Sequence, residues 1–171
     1  MNAALPEIVD PWRMVQARRS FHGSLPLAEL GRLRDSLAAA DGVVTFDLEF
    51  GTDELGIPNV WVRADATLSL VCQRTLDVFG LPVHVDTHLG LITREADEAA
   101  LPPGYEPLLT GQDGLRLADV VEDELILALP VLPVKPGSTP SEEWKNAAAN
   151  EDEAKPNPFA VLKNMKVSKD R

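Results

Sequence analysis

Two neighbouring segments between residues 60 and 91 alternate between apolar and polar side chains with a strict period of two. Successive side chains of a β-strand point to opposite faces, so this pattern predicts two strands that each bury one face only. The segments meet at Cys72–Thr75, which predicts a long antiparallel β-hairpin whose dry face the rest of the chain has to cover. The positions assigned to the dry face are Val62, Ala64, Ala66, Leu68, Leu70 and Cys72 in the first arm, and Val83, Val85, Thr87, Leu89 and Leu91 in the second.

Two amphipathic helices are predicted to provide this cover. Leucines recur every three or four positions in residues 26–40, and a helical stripe of apolar residues runs through residues 115–129. The last turn of the second helix is apolar nearly all round, which predicts that this end is buried. Asp10 at an N-cap position and Pro11 at the first helical position predict a further short helix within residues 5–18.

Additional strands are predicted beside the hairpin. Residues 43–50 alternate in the same way as the hairpin arms, and residues 19–25 and 105–110 have the character of short strands. The sequence therefore predicts an α+β fold, an antiparallel sheet with a long central β-hairpin covered by amphipathic helices. A chain of 171 residues is long enough for one such domain with its own core.

The chain is predicted to divide into one domain and two C-terminal pieces. Residues 1–134 form the α+β domain. Residues 135–156 are rich in Pro, Gly, Ser, Ala, Asn and Glu, which predicts a flexible, disordered acidic linker. Residues 157–171 predict a short C-terminal docking helix and a basic tail, with Asn157 as N-cap. Apolar anchors at Phe159, Leu162 and Met165 can fold back on the domain or fit the groove of a partner.

Charge is distributed unevenly along the chain. The formal charge is -11, but residues 35–154 contain 23 acidic and 6 basic side chains and so carry -17, while both ends are basic. A body this negative is repelled by a phosphate backbone, which argues against DNA binding. The distribution instead favours a basic protein as the partner.

The sequence also favours a cytoplasmic location. Cys72 is the single cysteine, so no internal disulfide framework can form, and a lone thiol suits a reducing compartment. No basic segment followed by an apolar run opens the chain, and no stretch approaches the roughly 18 apolar residues of a membrane span.

Candidate metal ligands are few. His84, Asp86 and His88 share one face of a predicted strand, where neighbouring members lie about 7 Å apart. Two of them could share a metal ion, but three could do so only if the strand bends, and a solvated polar face explains the same pattern. Cys72 ends the apolar face of its strand, which indicates a buried structural thiol. No metal and no cofactor are predicted.

The patterns of common catalytic sites are absent from the sequence. It contains no phosphate-binding loop, no nucleophile elbow and no zinc-protease motif, so no enzymatic activity is predicted. Its three Trp, five Phe and one Tyr are scattered along the chain, which argues against a base-stacking platform.

Several stretches together resemble one bacterial family. They include Cys72–Arg74, the acidic and apolar run Val120–Pro133, and the terminal segment Lys155–Leu162, with Asp10–Pro11 and Leu101–Pro107 as further points of likeness. In this order and at these distances they are similar to the YceD family of large ribosomal RNA subunit accumulation proteins.

This resemblance implies a small cytosolic factor that supports the synthesis, processing or persistence of 23S ribosomal RNA, and hence assembly of the large ribosomal subunit. It implies no catalytic residues. Many relatives have a second cysteine at the position of Thr75, and this chain therefore lacks the Cys-x-x-Cys pair that a metal or redox centre at the hairpin tip would need.

The residues predicted to bind a partner come from three places. The hairpin tip offers an exposed cation that could bind a phosphate or a carboxylate, or form an intramolecular ion pair. The helix near residue 122 offers an acidic docking face, with a merely solvated face as the alternative. The predicted partner-binding residues are Arg74, Glu122, Asp123, Glu124, Asn157, Phe159 and Leu162.

Direct RNA binding is the alternative function. Five arginines lie on two predicted N-terminal helices that could pack side by side and form a basic patch. These residues are Arg13, Arg18, Arg19, Arg32 and Arg34. The RNA contact of this chain is therefore either direct, through this patch, or indirect, through a protein.

Overall fold

Five strands form one sheet whose order follows the chain. The computed structural model describes residues 5–111 and 113–139. Within them the sheet has the order β1 to β5, with every neighbouring pair antiparallel except the parallel pair β4 and β5. The strands are β1 Ser20–Pro26, β2 Val43–Thr52, β3 Pro58–Val71, β4 Val78–Ile92 and β5 Tyr105–Leu109. The α+β fold is confirmed, with one parallel pair at its edge.

The long hairpin is confirmed. Strands β3 and β4 pair from Asn59 opposite Gly90 to Val71 opposite Val78. The dry face is as predicted, with the apolar side chains of both arms turned into the core. The connection is longer than expected and covers residues 72–77, because the Cys72 N–H donates to the Asp77 carbonyl and Leu76 turns the chain with a φ of 62°.

Three α-helices lie on the described part of the chain, α1 Pro11–Gln16, α2 Gly31–Arg34 and α3 Leu117–Leu127, together with two 3₁₀ helices at Leu27–Glu29 and Glu95–Ala100. The start of α1 is as predicted, since the Asp10 carboxylate accepts hydrogen bonds from the N–H groups of Trp12 and Arg13 at 3.0 and 3.2 Å. Helices α1 and α3 pack on the sheet, and α2 packs against α3.

The single long helix expected over residues 26–40 is wrong. The chain forms a 3₁₀ turn at Leu27–Glu29, leaves the helical region at Leu30 with φ -85° and ψ 88°, and then makes only the one turn of α2. In a continuous helix the N–H groups of residues 32 and 33 would bond to carbonyls four residues earlier. Here a carboxylate of α3 accepts both of them. The leucines of the predicted stripe nevertheless reach the core.

The burial expected for the last turn of α3 is only partly correct. Leu127 is 71% exposed and the following Val131 and Leu132 are 96% and 70% exposed. Leu125 of the same turn is buried, and Ile126 and Leu129 pack against the core, so among the described residues only the side of the helix with Leu127 faces solvent. The opposite side of α3, with Leu117, Val121 and Leu125, is fully buried.

The two ends of the described chain are tied to the domain. Val9 and Leu115 exchange two backbone hydrogen bonds of 2.9 and 2.8 Å, which fixes the segment before α1 beside the segment before α3. Residues 135–139, expected in the linker, lie against the hairpin tip, where the Gln73 N–H bonds to the Pro133 carbonyl just before them. The remainder of the predicted linker and the predicted C-terminal helix lie outside the described residues.

Candidate functional site

The face of the sheet opposite the core presents its polar side chains in rows that cross the strands. We call it the polar face. Since residues paired across neighbouring strands lie side by side, the register fixes which residues are adjacent. The rows are Ser20, Glu49, Trp61, His88 and Tyr105, then His22, Asp47, Arg63 and Asp86, then Ser24, Thr45, Asp65 and His84.

The first row holds an aromatic cluster. The rings of Trp61 and His88 are stacked with centroids 5.1 Å apart, and the ring of Tyr105 lies 5.8 Å from that of His88. The Arg63 guanidinium lies over the indole, 4.3 Å from its centroid, in a cation–π contact. Trp61, His88 and Tyr105 lie on three different strands, and their clustering was not predicted from the sequence. The period of two could have placed Trp61 and His88 on one face, but only the register makes them neighbours.

Carboxylates surround the aromatic cluster. The indole N–H of Trp61 donates to Asp86 at 2.6 Å, Nδ1 of His84 lies 2.8 Å from Asp65, and the guanidinium of Arg63 pairs with Glu49. Within the five described strands Arg63 is the only Arg or Lys, whereas the polar face carries the acidic side chains Asp47, Glu49, Asp65 and Asp86. The polar face is therefore an exposed acidic surface.

Tyr105 closes the aromatic cluster at the edge of the sheet. Its hydroxyl donates to Asp53 at 2.7 Å, and this bond lowers the pKa of the Asp53 carboxyl. Burial, followed by the same bond, raises the pKa of Tyr105 to about 12, so the phenol stays protonated. The cluster is thus anchored from the turn between β2 and β3.

The His84, Asp86 and His88 series does not converge on one point. Each side chain has a different neighbour, namely Asp65, the Trp61 indole nitrogen and the Trp61 ring. Among the described residues no group of three or more His, Cys, Asp or Glu side chains is arranged to hold a metal ion.

The three acidic residues of α3 do not form the exposed face expected of them. Glu122 and Glu124 are only 5% and 7% exposed. Asp123 is half exposed and pairs with the guanidinium of Arg32 at 2.5 Å. The expectation of exposure is wrong for the two glutamates because α2 covers one side of α3 and the sheet covers another.

Glu122 acts as a clamp between α3 and α2. One carboxylate oxygen accepts the N–H groups of Arg32 and Leu33 at 2.7 and 3.0 Å, and the other accepts the guanidinium of Arg32 at 3.0 and 3.1 Å. Burial alone would raise the pKa of Glu122, but the Leu33 N–H and the two groups of Arg32 together lower it. The role of this residue in the structure is to cap α2 from a distant helix.

Arg74 is exposed at the hairpin tip, as predicted, and binds the same chain. Its guanidinium donates to the carbonyl of Ser138 at 2.6 Å. This hydrogen bond to a backbone carbonyl is neither the intramolecular ion pair nor the contact with a phosphate or carboxylate that the sequence suggested for Arg74. Together with the bond from Gln73 to Pro133, this contact holds the segment after α3 across the tip.

Cys72 is fully buried beneath this segment. The Thr75 side chain makes the largest contribution in lowering the pKa of the Cys72 thiol, and the N–H of Lys135, 3.3 Å from the sulfur, adds to it. The resulting pKa is about 6, although burial opposes the shift. Hydrogen-bond donors around the sulfur thus lower the pKa of a thiol that solvent does not reach.

Replacing Thr75 with valine should raise the pKa of the Cys72 thiol from about 6 towards the ordinary thiol range. The valine keeps the shape of the side chain and removes its hydrogen bond to the sulfur. Titration of the thiolate by its ultraviolet absorbance measures the change. Thr45→Val, at an exposed position of β2, is the control and should leave the titration unchanged. An unshifted curve for Thr75→Val would contradict the role given to its hydroxyl.

The five N-terminal arginines are divided between two places. Arg13, Arg18 and Arg19 are exposed on α1 and just after it. Arg32 is held by Glu122 and Asp123, and Arg34 lies 3.8 Å from Asp35. Of the other predicted partner-binding residues, Asn157, Phe159 and Leu162 lie outside the described residues.

Comparisons with known proteins agree on one family. The family model for the large ribosomal RNA subunit accumulation protein YceD matches residues 60–166. The chain is 31% identical over 169 residues to the protein of that name from Haemophilus influenzae, and this similarity covers 95% of the chain and 96% of the relative. No solved structure matches the chain. In the described part of the chain, every helix is too short or too polar to cross a membrane.

Proposed function

The chain belongs to the YceD family of large ribosomal RNA subunit accumulation proteins, and from this premise we propose that it supports 23S ribosomal RNA accumulation as a non-enzymatic assembly factor. In this proposal it binds a basic ribosomal or assembly protein on the polar face of its sheet. Its contact with ribosomal RNA is then indirect and passes through that protein.

The observation that carries the proposal is the charge and geometry of the polar face. Four carboxylates surround a single guanidinium on a rigid surface of paired strands. Arg63 illustrates the kind of contact an incoming arginine could make, since it lies over an indole and pairs with a carboxylate. Such a surface attracts cationic side chains and repels phosphates.

A pair of matched charge reversals tests this proposal. Asp65→Lys with Asp86→Lys changes the polar face, and Glu95→Lys with Glu98→Lys changes the net charge equally on the exposed connection between β4 and β5. We expect the first pair to reduce recovery of ribosomal proteins from lysate about tenfold and the second to leave it nearly unchanged, because complementary charge acts locally.

Two results would contradict the proposal. One is that neither ribosomal proteins nor pre-ribosomal particles are recovered at low salt, and the other is that both double charge reversals reduce the recovery equally. Gel shifts with 23S RNA fragments examine the alternative. If the protein binds these fragments directly, if binding falls steeply with salt, and if the double variant Arg18→Glu with Arg19→Glu abolishes it, then the RNA contact is direct and passes through the N-terminal arginines.

A further inference from the structure

A groove lies on the core side of the sheet between α3 and the edge strand β5. It has a volume of about 480 Å³. Helix α3 covers β3 and β4 but leaves part of β5 open, so the groove exposes apolar side chains of both elements, and Leu127 at its rim is 71% exposed. Its apolar walls are formed by Leu89, Pro107, Leu108, Val120, Ile126 and Leu127.

Two of the acidic side chains in the groove, Glu106 and Glu124, form no ion pair within the described residues. Glu124 lines it and is 7% exposed, yet no Lys, Arg or His of the described chain lies within 4 Å of its carboxylate. Buried carboxylates are normally paired. Burial raises the pKa of Glu124, a hydrogen bond from the Thr87 side chain offsets part of this rise, and the neighbouring charges of Glu106 and Asp123 add to it.

A segment that binds in this groove therefore needs apolar anchors and a positive charge. The segment 157–166 of the same chain has both. Its apolar residues Phe159, Leu162 and Met165 recur at spacings of three, which predicts one side of a helix, and Lys163 and Lys166 belong to the same stretch of sequence.

The chain is long enough to bring this segment to the groove. The described residues end at Thr139, next to Ser138 at the hairpin tip. Residues 140–156 can span up to about 55 Å when extended. A domain of this size has a radius of gyration of about 14 Å, so every part of its surface is within reach. A tether of this kind gives an effective concentration on the order of 1 mM, which makes modest contacts sufficient.

We propose that the groove between α3 and β5 binds residues 157–166 of the same chain, with Phe159 and Leu162 against its apolar walls and a lysine beside Glu106 and Glu124. This proposal concerns a different surface from the polar face. It goes beyond the proposed function and does not depend on it.

Zero-length carbodiimide cross-linking of the full-length protein tests the proposal, because this reagent joins a lysine only to a carboxylate in direct contact with it. An equal mixture of unlabelled and ¹⁵N-labelled protein distinguishes links within one chain from links between chains. We expect Lys163 or Lys166 to be joined to Glu106 or Glu124, with both halves of each linked peptide carrying the same label.

Variants on each side of the contact complete the test. Leu127→Gln and Phe159→Gln should each reduce these links about tenfold, since each removes a large apolar side chain from the interface. Leu55→Gln is the matched control, because Leu55 is 73% exposed in the turn between β2 and β3 and lies away from the groove, and it should keep full yield.

Three outcomes would overturn the proposal. Links with mixed labels would assign the groove to a second copy of the chain. Absence of links to Glu106 and Glu124 would mean that the groove binds another partner. A yield that Leu127→Gln and Phe159→Gln do not change would mean that the lysines meet the carboxylates without docking. Circular dichroism of each variant confirms that the domain remains folded.

Discussion

Glu122→Ala is expected to lower the free energy of unfolding by about 2 to 3 kcal/mol, since the variant loses a helix cap and charge-assisted bonds together. The carboxylate accepts two backbone N–H groups at the start of α2 and the guanidinium of Arg32. Without it, the N–H of Leu33 remains buried and unpaired. This one side chain thus links the backbone of α2 to α3.

Two further variants separate the contribution of the bonds to backbone N–H groups from that of the ion pairs with Arg32. Asp123→Ala removes a carboxylate that pairs with the same guanidinium but is half exposed, so it should cost no more than about 1 kcal/mol. Arg32→Ala leaves the bonds to both backbone N–H groups and should fall between the other two. Denaturant unfolding measures all three. Equal losses for Glu122→Ala and Asp123→Ala would contradict capping by Glu122.

The dependence on pH provides a second measurement of the Glu122 clamp. The pKa of Glu122 is lowered in the folded protein, so its contribution to stability is complete above the ordinary glutamate pKa of about 4.3 and is lost as the pH falls through the lowered value. The difference in unfolding free energy between wild type and Glu122→Ala should therefore narrow in acid. A difference that stays constant down to low pH would exclude this linkage.

Gly114→Ala is the second substitution with a large expected effect, about 3 kcal/mol, because backbone strain and a steric clash add. Gly114 has a φ of +83°, and a Cβ there would lie 2.8 Å from the carbonyl oxygen of Val9 and 2.6 Å from the side chain of Ile8. That carbonyl accepts the N–H of Leu115. The substitution should separate the N-terminal segment from the start of α3.

Gly56→Ala is the matched control for this clash. Gly56 has nearly the same φ, +82°, but a Cβ there meets nothing within 4 Å. Its cost should be the conformational strain alone, about 1 kcal/mol. Hydrogen exchange should also show faster exchange of the Val9 and Leu115 amides in Gly114→Ala only. Similar losses of unfolding free energy in Gly114→Ala and Gly56→Ala would mean that the close approach to Val9 does not contribute to the cost of the substitution.

Features of the fold that depend on local patterns were predictable from the sequence. The period of two through β3 and β4 predicts both strands and their buried faces, and Asp10 before Pro11 predicts the start of α1. These patterns are complete within about a dozen residues. The side chains that satisfy them are neighbours along the chain.

Features that depend on distant partners were not predictable. The break before α2 is linked to a carboxylate 90 residues further along the chain, and no pattern near Leu30 reports it. The burial of Glu122 and Glu124 follows from contacts on two sides of α3, whereas their sequence alone suggests a solvated run. The stacking of Trp61 on His88 is set by the register between β3 and β4, which the sequences of these two strands do not specify by themselves.

The sheet order, which follows the chain from β1 to β5, bears on how the protein folds during its own synthesis. Each strand pairs with the one made just before it, so the meander can grow as the chain leaves the ribosome. The contact between Arg32 and Glu122 forms later than these strand pairs, because Glu122 is translated 90 residues after Arg32. A nascent chain that ends before residue 122 would thus carry a paired sheet whose core is still open on one side.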